Sequence, residues 1–563
     1  MLEPFLPRTR VAYFSMEVAV RPEMHSYAGG LGVLAGDTAR SCADLELPVV
    51  FVTLVSRAGY FRQTIDDAGR QVEEPDRWQP AAWCTPLDAM IAIAIEGRPV
   101  WVRAWLHTHT CPLGHCVPIL LLDTDLDQNA AADRELTHRL YGGDAAYRLK
   151  QEIVLGIGGV RLLRALGFRL RTYHLNEGHA ALLTLELLRG RPVAAADRIG
   201  GQPPYDIAAV RESCVFTTHT PIEAGQDRFA YELFERMLPD FVEPTVLKSL
   251  AGADALNMTR LAFNLSGWVN GVSERHARTT GRLFPGYRVR AITNGVHVGT
   301  WAHEAFARLF DSHFAHWQHE PEVLARAGQL DADEVWRCHL AAKSELIARV
   351  QQLTGVVLDA GRPIIGFARR MTGYKRPLLL FADVERLAAI GSRHPFQVVL
   401  AGKAHPNDEG GRQAIARIHE LLRALPAGVR CVFVPNYDMV LAKPLVAGAD
   451  VWLNTPLPPL EASGTSGMKA ALNGVLNLSV QDGWWLEACE EGVNGWAIGD
   501  DGEEAPESHA ESLYAQLDGT VLPLYENDPA RWRAMMKEAI RSIPPYFNSQ
   551  RMMRRYASEV YLR

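Results

Sequence analysis

Lys469 stands in EASGTSGMKAALNG (461–474), directly after the strand-like run ADVWLNT and the proline-rich loop PLPP. The small residues of this segment leave backbone N–H groups accessible, and a helix starting over 470–472 would turn the positive end of its dipole toward an anion such as phosphate. A lysine at that turn, among small and apolar neighbours, has its charged form disfavoured by desolvation, which frees the neutral amine to meet a carbonyl. A solvated lysine on a tight strand-to-helix turn accounts for the spacing equally well.

Three further clusters carry directed chemistry. SYAGGLGVLAGD (26–37) presents Gly29, Gly30, Leu31 and Gly32 ahead of a helical segment, where backbone N–H groups could approach phosphate or sugar oxygens; a lone glycine-rich turn is also common without any ligand. GFARRMTGYKRP (366–377) sets Arg369, Arg370, Lys375 and Arg376 around the end of a strand, with Arg362 before it and Lys403 after the next strand. Cations gathered this way repel one another, and a bound polyanion is their natural counterweight, each charge-assisted hydrogen bond contributing roughly 1.5–3 kcal/mol. HLNEGHAA (174–181), FTTHT (216–220) and NGVSERHA (270–277) place Asn, Glu and His, including His276, at loop edges suited to hydroxyl-rich ligands. HTHTCPLGHC (107–116) raises the question of zinc, but its spacing fits no paired-ligand pattern and its flanks suggest a hairpin.

The elements that must position these groups alternate regularly. β-rich runs at 11–15, 47–55, 98–106, 117–123, 170–176, 213–220 and 288–295 are interleaved with amphipathic stretches such as 148–166, and each of the last three ends in polar or glycine residues. After a helical region at 304–353 a second series begins, with strands expected at 363–368, 396–402, 430–435, 449–455 and 474–480 and helices over 378–389 and 411–425. The pattern reads as α/β, two doubly wound units of mainly parallel sheet joined near residue 302, with a helical tail at 546–563. No tract has a fixed repeat period.

The length of 563 residues, 48% hydrophobic and 22% charged, belongs to a globular chain of more than one domain, and excludes disorder and fibrous structure. A net charge of −7 offers no general attraction for nucleic acid or anionic membrane, so no nucleic-acid or membrane partner is expected. Eight cysteines spread over this length suit reduced thiols. There is no signal-like start and no apolar run long enough to span a bilayer, which reads as a cytoplasmic protein.

Taken together, YFSMEVAV, SYAGGLGVLAGD, GYFRQTIDDAGRQVEEPDRW, YHLNEGHAA, TTHTPIEAGQDRF, NGVSERH, TNGVHVGTW, GFARRMTGYKRP, LAGKAHP, VPNYD, EASGTSGMKAALNGV and DGWWLEACEEG resemble, in order and over most of the chain, the α-glucan (glycogen, starch and maltodextrin) phosphorylases. The resemblance implies a GT-B fold: a Rossmann-like glucan-binding domain over 1–302, a second Rossmann-like domain over 303–545 that binds pyridoxal 5′-phosphate, an active-site cleft between them, and a helix at 546–563 packing back on the first. It implies α-glucan or maltodextrin and inorganic phosphate as substrates and glucose 1-phosphate as product; a homodimer is a candidate assembly. Lys469 resembles the lysine that carries the cofactor, Arg369, Gly464, Thr465 and Ser466 match positions around the cofactor phosphate, and Tyr437 matches the aromatic residue near its ring. Arg370 and Lys375 match substrate-phosphate contacts, with Gly30 offering a backbone N–H; Glu461, Ser463 and His276 match contacts to the glucosyl unit. In that family the cofactor's 5′-phosphate exchanges a proton with the substrate phosphate, which protonates the departing glucan oxygen.

Departures mark the chain as one of the shorter, divergent bacterial and archaeal branch. Asp438 replaces the arginine that follows the VPNY-type tyrosine, PLPP precedes Glu461, and GTSGMK stands for GTGNMK. The animal members' N-terminal regulatory extension has no counterpart before Val11, so neither AMP nor N-terminal phosphorylation is expected to activate. Two other classes share features: a nucleotide-sugar glucosyltransferase such as glycogen or starch synthase, which would not require Lys469, and a glucan-binding pseudoenzyme, favoured by Asp438.

Overall fold

A computed structural model describes residues 1–198, 200–222, 225–425, 428–500 and 508–562. Glu223 and Ala224 of the TTHTPIEAGQDRF motif lie outside the described residues. In the first half, strands β1 (Val11–Ser15), β2 (Val49–Leu54), β3 (Thr85–Ile95), β4 (Arg98–Thr110), β5 (Cys116–Asp123), β6 (Thr172–Asn176), β7 (Cys214–Thr217), β8 (Trp268–Gly271) and β9 (Arg290–Ala291) form one sheet in the order β9-β8-β7-β6-β1-β2-β5-β4-β3. Pairing is parallel from β9 to β5, and β4 and β3 extend the edge antiparallel.

The second half builds a wholly parallel sheet from β10 (Ile364–Ala368), β11 (Phe396–Ala401), β12 (Val429–Val434), β13 (Val451–Asn454), β14 (Leu476–Val480) and β15 (Gly495–Ile498), in the order β12-β11-β10-β13-β14-β15. β10, β11, β13 and β14 are buried along their whole length, as continuous Val, Ile and Leu runs require when helices cover both faces.

Four helices matter for the site. α1 (Gly30–Asp44) follows the first glycine cluster; α2 (Ala332–Thr354) is capped by Asp331 and ends at Gly355 with φ +73°. α3 (Thr465–Leu472) carries Lys469, and α4 (Ser549–Tyr556) runs on into a wider helical turn at Ala557–Tyr561. α3 begins five residues earlier than expected from its alanines, because Gly464, at φ +95°, turns the chain so that Thr465 already continues into helix. The helix expected over 378–389 resolves into a short turn at Leu379–Phe381 and a helix at Val384–Arg393, which Asp383 caps through the Arg386 N–H at 2.9 Å. The strand expected over 288–295 shrinks to Arg290–Ala291.

Loops leaving the carboxyl ends of the two sheets touch one another. Ser273 Oγ donates to Ala462 O (2.7 Å), Lys403 Nζ donates to Phe61 O (2.8 Å), and Gln63 and Asn436 exchange two hydrogen bonds (2.8 and 3.0 Å). α4 lies on α1, with Ser549 Oγ 2.6 Å from Ser41 Oγ and Gln550 Nε2 donating to Asp44 Oδ2. All eight cysteines are unpaired, and among the described residues no helix is long and apolar enough to cross a membrane.

Candidate active site

The second sheet supplies the most heavily buried part of the site. β13 runs into the 455–464 loop, which brings Glu461 beside the cations that leave β10. Glu461 accepts hydrogen bonds from Lys375 Nζ (2.6 and 2.7 Å) and Arg369 Nη2 (2.7 Å), and its own N–H donates to Asp482 Oδ2 (2.8 Å). Burial pushes the Glu461 carboxyl up, but the Lys375 and Arg369 charges and their hydrogen bonds overcome it and bring it down to about 2. Asp482, with no comparable cation, is pushed up to about 6 by burial, despite the N–H groups of Glu461 and Gly483.

Arg369 is only partly used by this pair. Its Nε and Nη1 are buried and have no hydrogen-bond partner among the described residues, and the Ser463 hydroxyl is in the same condition. Unsatisfied buried donors cost about 1–3 kcal/mol each, so several within one loop and its neighbour mark a place where polar groups of a ligand belong. α3 adds its own first N–H groups, which no side chain caps. Ser466 Oγ accepts from Trp452 Nε1 (3.1 Å), fixing the first turn of α3 against β13. Tyr437 is partly buried and packs against this core, its phenol held well above the usual range by desolvation and by Asp438.

Lys469 points from α3 onto Trp301, with Nζ 4.0 Å from the ring centroid. Trp301 Nε1 in turn donates to Asp37 Oδ2 (2.8 Å), and Asp37 pairs with Arg40 (3.1 Å). Burial brings the Lys469 ammonium down to about 8; Asp37 opposes the shift and Arg40 adds to it. The residues therefore fit a phosphate-bearing aldehyde: a buried amine near neutrality, a helix amino terminus, and orphaned guanidinium and hydroxyl donors.

The first sheet contributes the amino end of α1. Gly30 is exposed, with open space around its Cα. A Cβ on Gly29 would stand 3.8 Å from Arg370 Nη2, which places this exposed guanidinium beside the helix terminus. Gly29 and Gly32 both adjoin Glu17. The Gly29 N–H is already bonded to Glu17 (3.0 Å), and Gly32 is hemmed in by Glu17 and Tyr27, so that a side chain there would clash at 2.6–2.7 Å. His276, on the helix capped by Ser273, accepts the Val272 N–H at Nδ1 (3.2 Å), so Nε2 bears the proton; that buried N–H has no partner, and burial brings the ring down to about 4.

Lys375, Arg369, Glu461, Ser463, Gly464, Thr465, Ser466, Tyr437 and Lys469 thus gather around the carboxyl edge of the second sheet, and Gly30 with Arg370 at the junction. His276 meets them through the Ser273–Ala462 contact. Glu17, Trp301, Asp37 and Asp482 escaped sequence reasoning; each sits inside a motif read for other residues, and only contact distance shows its part. Asn176 and Glu177 bond His219 at Nε2 (2.6 Å) and N–H (2.7 Å), so this polar set is internally satisfied. The 107–116 segment is a β4–β5 hairpin turn, with the His107 ring on Trp83 O (2.9 Å); among the described residues no group of three or more His, Cys, Asp or Glu is arranged for a metal ion.

Comparison with known proteins gives a consistent result. A family model described as carbohydrate phosphorylase matches residues 243–516. Over 98% of its length the chain is 38% identical to the maltodextrin phosphorylase of Thermococcus litoralis, covering 70% of that protein. It is 36% identical to the glycogen phosphorylase of Mycobacterium tuberculosis and 34% identical to that of Aquifex aeolicus, again over 98% of the chain and covering 71% and 86% of those proteins.

Proposed function

Because the chain belongs to the carbohydrate phosphorylase family, we propose that it is an α-1,4-glucan phosphorylase dependent on pyridoxal 5′-phosphate, releasing glucose 1-phosphate from the non-reducing end of a glycogen or maltodextrin chain with retention of configuration. The observation that carries this reading is Lys469, a buried amine brought down to about 8 on α3, the helix that follows the loop of Ser463, whose hydroxyl, like Arg369 Nε and Nη1, has no partner among the described residues. The strand order of the second sheet, read as 3-2-1-4-5-6 within itself, supports a Rossmann-like unit over 303–545, and the parallel core of the first sheet supports another over 1–302, in a GT-B arrangement with the site in the cleft. The α4 contacts with α1 support assigning 546–563 to the first unit. Eight unpaired thiols support a cytoplasmic setting.

In this reading Lys469 holds the cofactor, while Arg369, the α3 amino terminus and the Thr465 and Ser466 groups receive its phosphate and Tyr437 flanks its ring. When bound, pyridoxal phosphate supplies a second phosphate as proton donor and acceptor beside the substrate. Inorganic phosphate lies between Arg370 and the Gly30 N–H, with Lys375 turning toward it from Glu461. The terminal glucosyl unit is held by Glu461, Ser463 and the neutral His276, whose Nε2–H donates to a sugar hydroxyl. As the C1–oxygen bond of the glucan breaks, the substrate phosphate gives its proton to the departing oxygen. One of its own oxygens then joins C1 from the same face, yielding α-glucose 1-phosphate. Fixed cations around the developing charges lower the barrier without reorganising during the reaction. A near-ultraviolet spectrum of the purified protein tests the cofactor assignment: a protein-linked absorbance band beyond the aromatic region, lost in Lys469→Ala, supports it, and a cofactor bound equally well without Lys469 overturns it.

A further inference from the structure

We propose that Glu17 is a positioning residue for the phosphate half of the reaction: it decides which backbone N–H groups of the glycine turn remain free for the oxyanion. The inference rests on the phosphorolytic reading of the site. β1 ends at Ser15, and two residues later the Glu17 side chain is completely buried. A buried carboxylate needs compensating donors, and Glu17 has three. Oε2 accepts the Ala28 and Gly29 N–H groups at 2.6 and 3.0 Å, and Oε1 accepts the Tyr141 hydroxyl at 2.7 Å.

This divides the amides of the turn between two tasks. Those of Ala28 and Gly29 are bound to protein. Helix α1 begins at the next residue, so the N–H groups of Gly30, Leu31 and Gly32 have no acceptor within the helix. Gly30 among them is exposed and adjoins the residue that stands beside Arg370. Without the Glu17 anchor the Ala28 and Gly29 amides would compete for the same anion, and the start of α1 would lose its direction relative to Arg370. Gly32 serves this anchor: a Cβ there would stand 2.6 Å from Glu17 Oε2, so the glycine makes room for the carboxylate.

Glu17 is itself held from behind. Tyr141 is covered by the Arg148 guanidinium 4.5 Å from its ring, and Arg148 bonds Glu152 and Asp227 at 3.0 Å each. The glucosyl-facing set of Glu461, Ser463 and His276 shares none of the hydrogen bonds of Glu17, so disturbance of Glu17 should reach phosphate and spare glucan.

The test uses the full, cofactor-loaded chain and three substitutions. Glu17→Gln keeps the shape but removes the charge and leaves one acceptor oxygen in place of two, Gly32→Ala displaces the carboxylate sterically, and Tyr141→Phe removes one anchor only. Initial rates of phosphorolysis are measured with inorganic phosphate and maltodextrin varied separately. Glu17→Gln and Gly32→Ala should raise KM for phosphate about tenfold or more while KM for maltodextrin stays within about twofold, and Tyr141→Phe should move only the phosphate KM, by about two- to fivefold. If Glu17→Gln does not fold, the other two decide. Equal changes in both KM values, or an unchanged phosphate KM in the folded variants, overturns the proposal. A wild-type protein without phosphate-dependent turnover refutes the functional reading instead, which separates the two failures.

Discussion

Stripping the cofactor and returning it across a pH series interrogates the Lys469 amine alone. An ordinary lysine titrates near ~10.4, so at pH 7 only about one amine in 2,500 is neutral. Lys469, desolvated on α3 with Arg40 nearby, is brought down to about 8. About one in ten is then neutral at pH 7, a gain of roughly 250-fold in the form that attacks an aldehyde. With the cofactor well below saturation, its rate of covalent capture, followed by near-ultraviolet absorbance, should rise about tenfold per pH unit between roughly pH 6 and 7.5 and level off above roughly pH 8.5. The same gap is worth about 3 kcal/mol of unfavourable charging in the cofactor-free protein. Because the folded pKa lies below the unfolded one, that cost is present in full below about pH 8 and is relieved as pH rises toward ~10.4. Lys469→Met should therefore stabilise cofactor-free protein at pH 7, by up to about 3 kcal/mol, and stabilise it less at pH 10. A capture rate still climbing tenfold per unit through pH 9.5, or a destabilising Lys469→Met, would refute the buried-amine reasoning.

Arg370→Ala should raise KM for phosphate by about 10- to 150-fold, the equivalent of one charge-assisted hydrogen bond of roughly 1.5–3 kcal/mol, with little change for maltodextrin; two-substrate kinetics check this. Glu461→Gln leaves Lys375 and Arg369 as buried cations without their counter-charge, so the cofactor-free protein should lose about 3–5 kcal/mol; calorimetric melting should recover part of that loss when phosphate and pyridoxal phosphate are added. Asp438→Ala should cost about 1 kcal/mol through loss of the cap that accepts the Leu441 N–H at 2.8 Å, read in denaturant unfolding, while leaving the phosphate KM unchanged.

Five strands of the second sheet are readable because they are largely apolar runs, and burial on both faces demands nothing subtler; β15, only the four residues GWAI, is too short to stand out. Strand β3 is not readable, since its exposed, half-buried and buried residues follow no regular alternation and it includes Pro86 and Asp88, which argue against a strand. The start of α3 was misplaced because Gly, Thr and Ser have weak helix propensity; a left-handed Gly464 and burial of Gly467 and Met468 override it. Within the site, the chemistry-bearing types at 369–375 and 461–469 announced themselves by clustering. Glu17 and Trp301 did not, for their parts lie in three hydrogen bonds and in one ring face met by residues far away in the chain. Asp438, read as a lost cation, is occupied as a helix cap, a function set by its backbone and invisible in its charge.

Release of glucose 1-phosphate from maltodextrin is the measurement closest to the central claim. The purified chain, loaded with pyridoxal phosphate, should form it in proportion to inorganic phosphate supplied, in the α configuration by NMR, and Lys469→Ala freed of cofactor should form none. Phosphate-independent turnover, transfer of glucose from a nucleotide sugar in its place, or full activity in cofactor-free Lys469→Ala would contradict it.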